Sequence, residues 1–419
     1  MPDTDELIYV RERRLPYETF DADNHMYENQ DALTKFIPPA YEGVIKYVDI
    51  NGRTKLAIQD MITDYIPNPT FRRVAVPGGY GQDVTSGGDG VRRTAGDTAG
   101  AAAGIAGMKP RVMPGLEAFF DPEPRLALMK DMGIDRTLLW PTLASALEER
   151  LAHDPDAAVV VIHALNAWMN EHWTFNFGDA IYSTPIITLA GGNGPALEEL
   201  EFISSNGAKV FLIRVAPVPT WQGRKSFALQ EFDPFWKRVE ELGLVVGMHS
   251  GDPGYGRYTN EWEGRGDRET RAFQSNGSPA FHRLMSEKNN LIDALASIIG
   301  HGLATRFPDL KFMPTEFGSQ WIRPFVKKLQ RSYEEAPVLF DEDPFEIFKR
   351  NIWLHIFHEP DPKGLLDLGL SADHLMFGSD FPHPEGMADP LAYSEIVEDL
   401  PAETQALIMG GSLKMALNV

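Results

Sequence analysis

Leu375-Met376-Phe377-Gly378-Ser379-Asp380-Phe381-Pro382-His383-Pro384-Glu385-Gly386 reads as a short apolar strand running into a loop that carries an Asp, a His and a Glu. A buried strand delivering a carboxylate at its C-terminal end is how a parallel α/β barrel presents a reactive side chain. Two earlier stretches have the same form. Phe20-Asp21-Ala22-Asp23-Asn24-His25 lies near the start, and Leu244-Val245-Val246-Gly247-Met248-His249 lies in mid-chain. A strand's period of two points Asp21, Asp23 and His25 to one side. Three distant strand ends therefore each offer a metal-competent side chain.

Between these stretches the sequence alternates strand-like and helix-like patterns. Further strands are expected at 136–141, 180–189, 209–217, 310–316 and 352–360, which brings the count to eight. The amphipathic spacing of 154–176 and of the segments before and after it predicts helices in the gaps. This rhythm predicts an α/β fold, a (β/α)8 TIM barrel occupying the whole chain as one domain. An insertion at about 40–118, between strands one and two, departs from the rhythm. There Ile50-Asn51-Gly52-Arg53 signals a two-residue hairpin turn. The stretch from Gly78 to Gly107, rich in Gly, Ala, Thr and Ser, reads as a loop that could cover a barrel mouth or join subunits.

Composition narrows the function classes. With 419 residues, 43% apolar and 11% aromatic, the chain has material for a large core. A net charge of −21 argues against nucleic acid or an anionic membrane surface as partner. The absence of cysteine removes disulfides, thiolate nucleophiles and Cys-ligated zinc. No run of about 18 apolar residues is present, and the charged N-terminus carries no signal-like segment, so a cytoplasmic protein is expected.

Imidazole nitrogen and carboxylate oxygen from Asp23, His25, His249 and Asp380 suit one divalent ion, zinc first, with manganese or iron as alternatives. Asp380 could double as proton acceptor. Arg214, near the end of strand four, could bind a substrate carboxylate in a two-pronged fashion or form a salt bridge at the barrel end. His383 could hydrogen-bond within the site or fix its loop. His358, followed by Glu359, ends the expected strand seven and is a further catalytic candidate.

These motifs resemble the amidohydrolase superfamily, specifically the amidohydrolase-related branch with its aminocarboxymuconate-semialdehyde and resorcylate-type decarboxylases. The resemblance rests on 21–25, on Asp233-Pro234-Phe235-Trp236, and on Gly247-Met248-His249. It rests also on 306–311, on Glu316-Phe317-Gly318 and on 378–383. It implies a barrel with a mononuclear metal site. The family's His-x-His on strand one falls on Asp23 and His25, so the first histidine is replaced by a carboxylate. His249 falls on the strand-five ligand, and Asp380 on the strand-eight ligand and base. At strand six, where many members carry a histidine, this chain has Glu316, which could act as the general acid or base, hold a histidine in place or touch substrate.

The function expected is that of a metal-dependent lyase or hydrolase acting on a small organic acid, aromatic or unsaturated. Asp23 in place of histidine favours decarboxylation within the resemblance. Hydrolysis of an amide, ester or lactone is the alternative, and a metal-free ligand-binding relative is a second. The partners expected are a small-molecule substrate and, from the resemblance, further copies of the same chain.

Overall fold

The computed structural model describes residues 14–59, 61–62, 71, 73–79, 112–264, 281, 285, 289–356 and 361–419. Eight short strands carry the architecture: β1 (Phe20–Met26), β2 (Arg136–Pro141), β3 (Ile181–Ser183), β4 (Val210–Leu212), β5 (Val245–His249), β6 (Lys311–Thr315), β7 (Leu354–His355) and β8 (Leu375–Met376). All are buried on both faces apart from a residue at the edge of β2, β4 and β6, as expected of parallel strands covered by helices.

Regular parallel ladders join β1–β2–β3, β4–β5–β6 and β7–β8, and do not by themselves form one continuous sheet. Single parallel bridges link the pieces. Ile186, just beyond β3, pairs with Leu212 of β4; Phe312 of β6 pairs with Ile352 ahead of β7; Phe381, beyond β8, pairs with Asn24 of β1. The last seam is well bonded, with Ala22 N donating to Phe377 O at 3.0 Å, His25 N to Phe381 O at 2.7 Å and Asp380 N to Asp23 O at 2.7 Å.

Two apolar cores follow from this layout. The larger lies between strands and helices. The smaller contains Phe20, Leu138, Tyr182, Val210, Val245, Met313, Trp353 and Met376, one residue from each segment forming the eight strands. The C-terminal helix Ser412–Leu417 adds Leu413, Ala416 and Leu417 to this inner cluster. Trp140 belongs to it too, and its ring lies 5.1 Å from that of His249. The Trp140 indole fits because residue 247 is glycine, where a Cβ would fall 2.4 Å from the ring.

Helices start where the sequence says they should. Asp154, Asp343 and Asp361 each cap a helix with the side chain accepting a backbone N–H, and each is followed by a proline in the first turn. Between β1 and β2, residues 45–50 and 53–58 form an antiparallel hairpin turned by Asn51 and Gly52, both at positive φ (54° and 74°). A second pair, Arg73–Ala75 with Val112–Pro114, follows, and Gly78 N then donates to His383 O at 3.0 Å. Residues 80–111, most of the glycine-rich stretch, lie outside the described residues, as does His358.

One expectation about β1 needs correcting. Phe20 and Ala22 face the inner cluster, so Asp21 between them does not share their side. A register shift between Asp21 and Asn24 breaks the alternation, and only Asp23 and His25 reach the site. Asp21 instead ties β1 to the β8 segment. Its carboxylate accepts from Asp23 N (3.0 Å), Ser379 N (2.9 Å), Asn24 Nδ2 (3.0 Å) and Ser379 Oγ (2.5 Å).

Candidate metal centre

β1, β5 and β8 end on the same side of the fold, and their terminal side chains meet there. Asp23, fully buried, places Oδ1 3.3 Å from His249 Nε2 and 3.4 Å from His25 Nε2. His25 Nε2 lies 3.3 Å from Asp380 Oδ1. One ligand-type atom from each of Asp23, His25 and His249 falls within a common 4.8 Å, as do those of His25, Asp380 and His383. The imidazoles of His25 and His383 stack at 4.0 Å between ring centres, and those of His25 and His249 meet edge to face at 4.9 Å.

The hydrogen bonds fix how each ring is presented. A carbonyl oxygen can only accept, so His249 donates Nδ1–H to Ser250 O at 2.9 Å and turns Nε2 to Asp23. This is how a metal-ligating histidine is oriented from behind. Thr142 donates to Met26 O at 2.8 Å, so the His383 Nε2–H donates to Thr142 Oγ1 at 3.2 Å. The Nδ1 of a neutral His383 then accepts, and its partner at 2.8 Å is Asp380 Oδ1. The proton of that contact sits on Asp380.

The electrostatics agree with this assignment. Burial, together with the charges of Asp23, Glu385 and Asp21, pushes the Asp380 carboxyl well above its usual range. Burial likewise lowers His383 and His25, keeping both imidazoles neutral. For Asp23, burial works upward, but His249 and His25 outweigh it and hold the carboxylate ionised. Burial works to lower His249, and the facing Asp23 and Glu316 carboxylates more than offset it, so its net shift is upward.

Several polar atoms at the centre of this cluster are buried without a hydrogen-bond partner: Asp23 Oδ2, both ring nitrogens of His25, and Asp380 Oδ2. Such atoms cost about 1–3 kcal/mol each when left unsatisfied. A divalent cation is the partner this donor set of imidazole and carboxylate fits.

The remaining expected residues are placed as follows. Glu316, just beyond β6, sits with Oε2 3.6 Å from His249 Nδ1, its carboxyl pushed well above the usual range by burial and by Asp380. Arg214 lines a cleft beside His249 together with Glu148, Ile186, Leu212 and Asn290. Its head group bonds to Glu149 and to Asp252 O (3.0 Å), while Nη1 has no hydrogen-bond partner. Arg224 clamps Glu149 from the other side through two 3.0 Å bonds, from a hairpin (Val218–Thr220 with Gly223–Lys225) that the sequence did not announce.

Two site residues escaped the sequence reading. His358 lies outside the described residues, while β7 (Leu354–His355) brings His355 into the site. Its Nδ1 accepts from Glu316 N at 2.9 Å and lies 3.6 Å from Asp23 Oδ2. Gly378 permits this approach, since a Cβ there would fall 2.4 Å from His355 Nε2 and 2.6 Å from Asp23 Cβ. The signal was available in the inward-facing Trp353, from which a period of two points His355 to the same side. Glu385, visible in the loop after β8 but given no role, belongs to a third group within 4.8 Å, with Glu316 and Asp380.

Parallel strands whose C-terminal ends gather imidazoles and carboxylates define an α/β protein built around a metal-competent centre. More particularly, the chain belongs to the amidohydrolase family, whose Amidohydrolase model matches residues 113–412. An amidohydrolase from Mycobacterium avium subsp. paratuberculosis K-10 is 30% identical, with a TM-score of 0.84 over 96% of this chain and all of that one. Two more distant structures share the fold. 2,6-Dihydroxybenzoate decarboxylase from Rhizobium has 16% identity and a TM-score of 0.55, covering 72% of this chain and 89% of its own. The manganese-bound 5-carboxyvanillate decarboxylase of Novosphingobium aromaticivorans has 14% identity and a TM-score of 0.55, covering 96% and 97%. Comparison with the curated proteins gives no match. Among the described residues, no helix is long and apolar enough to cross a membrane.

Proposed function

We propose that this chain is a metal-dependent decarboxylase of a small aromatic or unsaturated carboxylic acid, built as a closed (β/α)8 barrel with an inserted segment between β1 and β2. The observation that carries the reading is the buried set of unpartnered ligand atoms on Asp23, His25 and Asp380, with His249 Nε2 turned toward them. The single bridges between consecutive strands, and from beyond β8 back to β1, support the closed barrel. Decarboxylation draws support from the fold-sharing decarboxylases of aromatic acids; manganese, bound in one of them, joins zinc as a candidate ion.

Asp23, His25 and His249 would hold the ion, with Asp380 at its side. When bound, a divalent ion supplies Lewis acidity that draws negative charge off a substrate carboxylate and its neighbouring oxygen. Apolar Ile186 and Leu212 would shape the cleft for a flat carbon skeleton, beside Asn290 and Arg214, whose Nη1 lies 4.0 Å from Glu148 Oε1 and makes no hydrogen bond. The reaction breaks the bond between carboxyl and ring carbon and leaves the electron pair on that carbon. The proton it needs is held by the Asp380–His383 pair, whose chain through Thr142 to Met26 O keeps His383 oriented. Glu316, protonated through burial, is the second proton holder. His355 keeps Glu316 and Asp23 in register.

Hydrolysis of an amide, ester or lactone is the second reading; it needs Asp380 ionised to accept a water proton, and Asp380 Oδ2 has no hydrogen-bond partner. The reading also includes a homo-oligomer in the cytoplasm. The first experiment is elemental analysis of wild type and His249→Ala, followed by assay of aromatic acids for CO₂ release. About one transition metal per chain at high affinity, lost in the folded variant, with CO₂ as product, is expected. Metal with acid and amine or alcohol products would favour hydrolysis. No metal after reconstitution would overturn both and leave a ligand-binding relative.

A further inference from the structure

Arg214 lines the cleft beside His249, and the charge it offers there is set by a residue that the proposed reaction does not use. Glu149 belongs to the short helix Leu147–Arg150 that follows β2, is buried, and is not among the residues lining the cleft. Its Oε2 accepts from Arg214 Nη2. Arg224, from the Val218–Lys225 hairpin, donates to both Glu149 oxygens at 3.0 Å. Gly254, at φ 71°, makes room for this seat, since a Cβ there would fall 2.5 Å from the Glu149 carboxyl carbon. Gly254 N donates in turn to Asp252 Oδ1 at 2.9 Å, and Asp252 O accepts from Arg214 Nε at 3.0 Å. Arg150 Nη2 lies 3.5 Å from Asp252 Oδ2.

By formal charge this wall is balanced. Arg150, Arg214 and Arg224 stand against Glu148, Glu149 and Asp252 in one connected set of contacts. Charges buried together are tolerable only when paired in this way. What Arg214 has left is Nη1, which makes no hydrogen bond and lies 4.0 Å from Glu148 Oε1. Glu148 shows what a further carboxyl meets at this spot. Burial raises it above its usual range, Arg214 and Thr188 pull it down, and Glu149 pushes it up again. Asp252 is raised likewise, by burial first and then by Glu149. A substrate carboxylate against this wall would meet the same desolvation and the same Glu149 charge. Asn290 also lines the cleft, and its Nδ2 is committed to Val215 O at 3.2 Å, which leaves the side-chain oxygen, an acceptor. A hydroxyl or an amide can donate to such an oxygen; a carboxylate cannot.

We propose that Glu149 sets the substrate range of the cleft by neutralising Arg214, so that the site accepts an acid with one carboxylate and rejects an acid with a second carboxylate at its far end. The inference rests on the reading of the cleft as the site of a small organic acid whose reacting carboxylate lies toward Asp23, His25 and His249. Neutral hydrogen-bonding substituents remain acceptable at the far end. Glu149 acts through Arg214 and is a positioning residue. Of the two roles open to Arg214 from its sequence, carboxylate clamp or salt bridge, this assigns the second.

The test is calorimetric binding of two pairs of probes of equal shape to the full-length protein: isophthalate against 3-carbamoylbenzoate, and terephthalate against 4-carbamoylbenzoate. Wild type should bind the amide of at least one pair about tenfold or more tighter than the diacid, because like charges brought together at a desolvated surface are strongly disfavoured. Glu149→Gln frees Arg214 and should move that ratio toward the diacid by about tenfold or more. Arg224→Gln leaves Glu149 to Arg214 and should move the ratio the other way. A merely structural role would weaken both members of a pair alike and leave the ratio fixed. Circular dichroism establishes that each variant is folded, and the opposite shift in Arg224→Gln decides the matter should Glu149→Gln not fold. A diacid bound by wild type as tightly as its amide, or a ratio unchanged in the folded variants, would overturn the proposal. Binding of none of the four probes would overturn it together with the acid-binding reading. Selective binding of an amide by a protein that releases CO₂ from no acid would support the charge assignment and overturn decarboxylation.

Discussion

Glu28 shows how a single buried carboxyl outside the centre reports on it. Its Oε1 accepts Leu143 N–H at 2.8 Å and so anchors the segment that carries Thr142, while Oε2 is buried with no hydrogen-bond partner. Burial raises this carboxyl from its ordinary 4.5 to about 7. The folded state therefore binds the proton more tightly than the unfolded chain, and stability from this group falls as pH rises from about 4.5 to about 7. Glu28→Gln removes the titration and keeps the acceptor for Leu143. The expected result is equal melting temperature at pH 4.5 and a variant more stable than wild type at pH 8, by up to about 3 kcal/mol. Equal stability of the two at pH 8 would contradict the assignment. At this scale the sequence was most informative where a polar residue ends an apolar run, as with His25, His249 and Asp380. It was less informative within a run: in 352–360 the apolar pattern gave no prominence to His355. At Asp21 the strand bulges, and no residue pattern announced the bulge.

At the scale of elements, the meeting of β2 and β5 depends on one pair. Trp140 of β2 lies across residue 247 of β5, directly beneath His249. Gly247→Ala would place a methyl group 2.4 Å from the indole and 3.2 Å from Phe211 O, with no flexible neighbour to move aside. Overpacking of this kind costs about 1–3 kcal/mol. We expect a lowered melting temperature together with weakened metal binding, because the displaced indole supports His249. A loss of stability with metal affinity unchanged would show that Trp140 has no part in placing the histidine. The elements themselves were largely legible. Asn51-Gly52 announced its hairpin through the positive φ both residues tolerate, and the amphipathic spacing of 154–176 announced the helix Pro155–His172. The Val218–Lys225 hairpin was not legible, since Arg224 acquires its purpose only when folding brings Glu149, 75 residues away, within reach.

For the whole molecule, binding and stability are coupled. Ions that bind only the folded chain stabilise it by mass action, about 2.7 kcal/mol at a hundredfold excess over the dissociation constant. Chelation should therefore lower the melting temperature and added Mn²⁺ restore it, whereas an unchanged melting curve would show that no ion is bound. The seam between β1 and the β8 segment has a further consequence. Asp380 N bonds to Asp23 O, Ser379 N to Asp21, and helix Ser412–Leu417 fills the inner cluster from the far end. Residues 357 positions apart in the chain must meet before Asp23 and Asp380 face one another. On the ribosome the N-terminal half therefore emerges with its carboxylates and imidazoles unassembled, and the nascent chain has no centre in which to trap a metal from the cell. On the proposed reading of the centre as a metal site, metal loading would follow translation and be coupled to closure of that final seam.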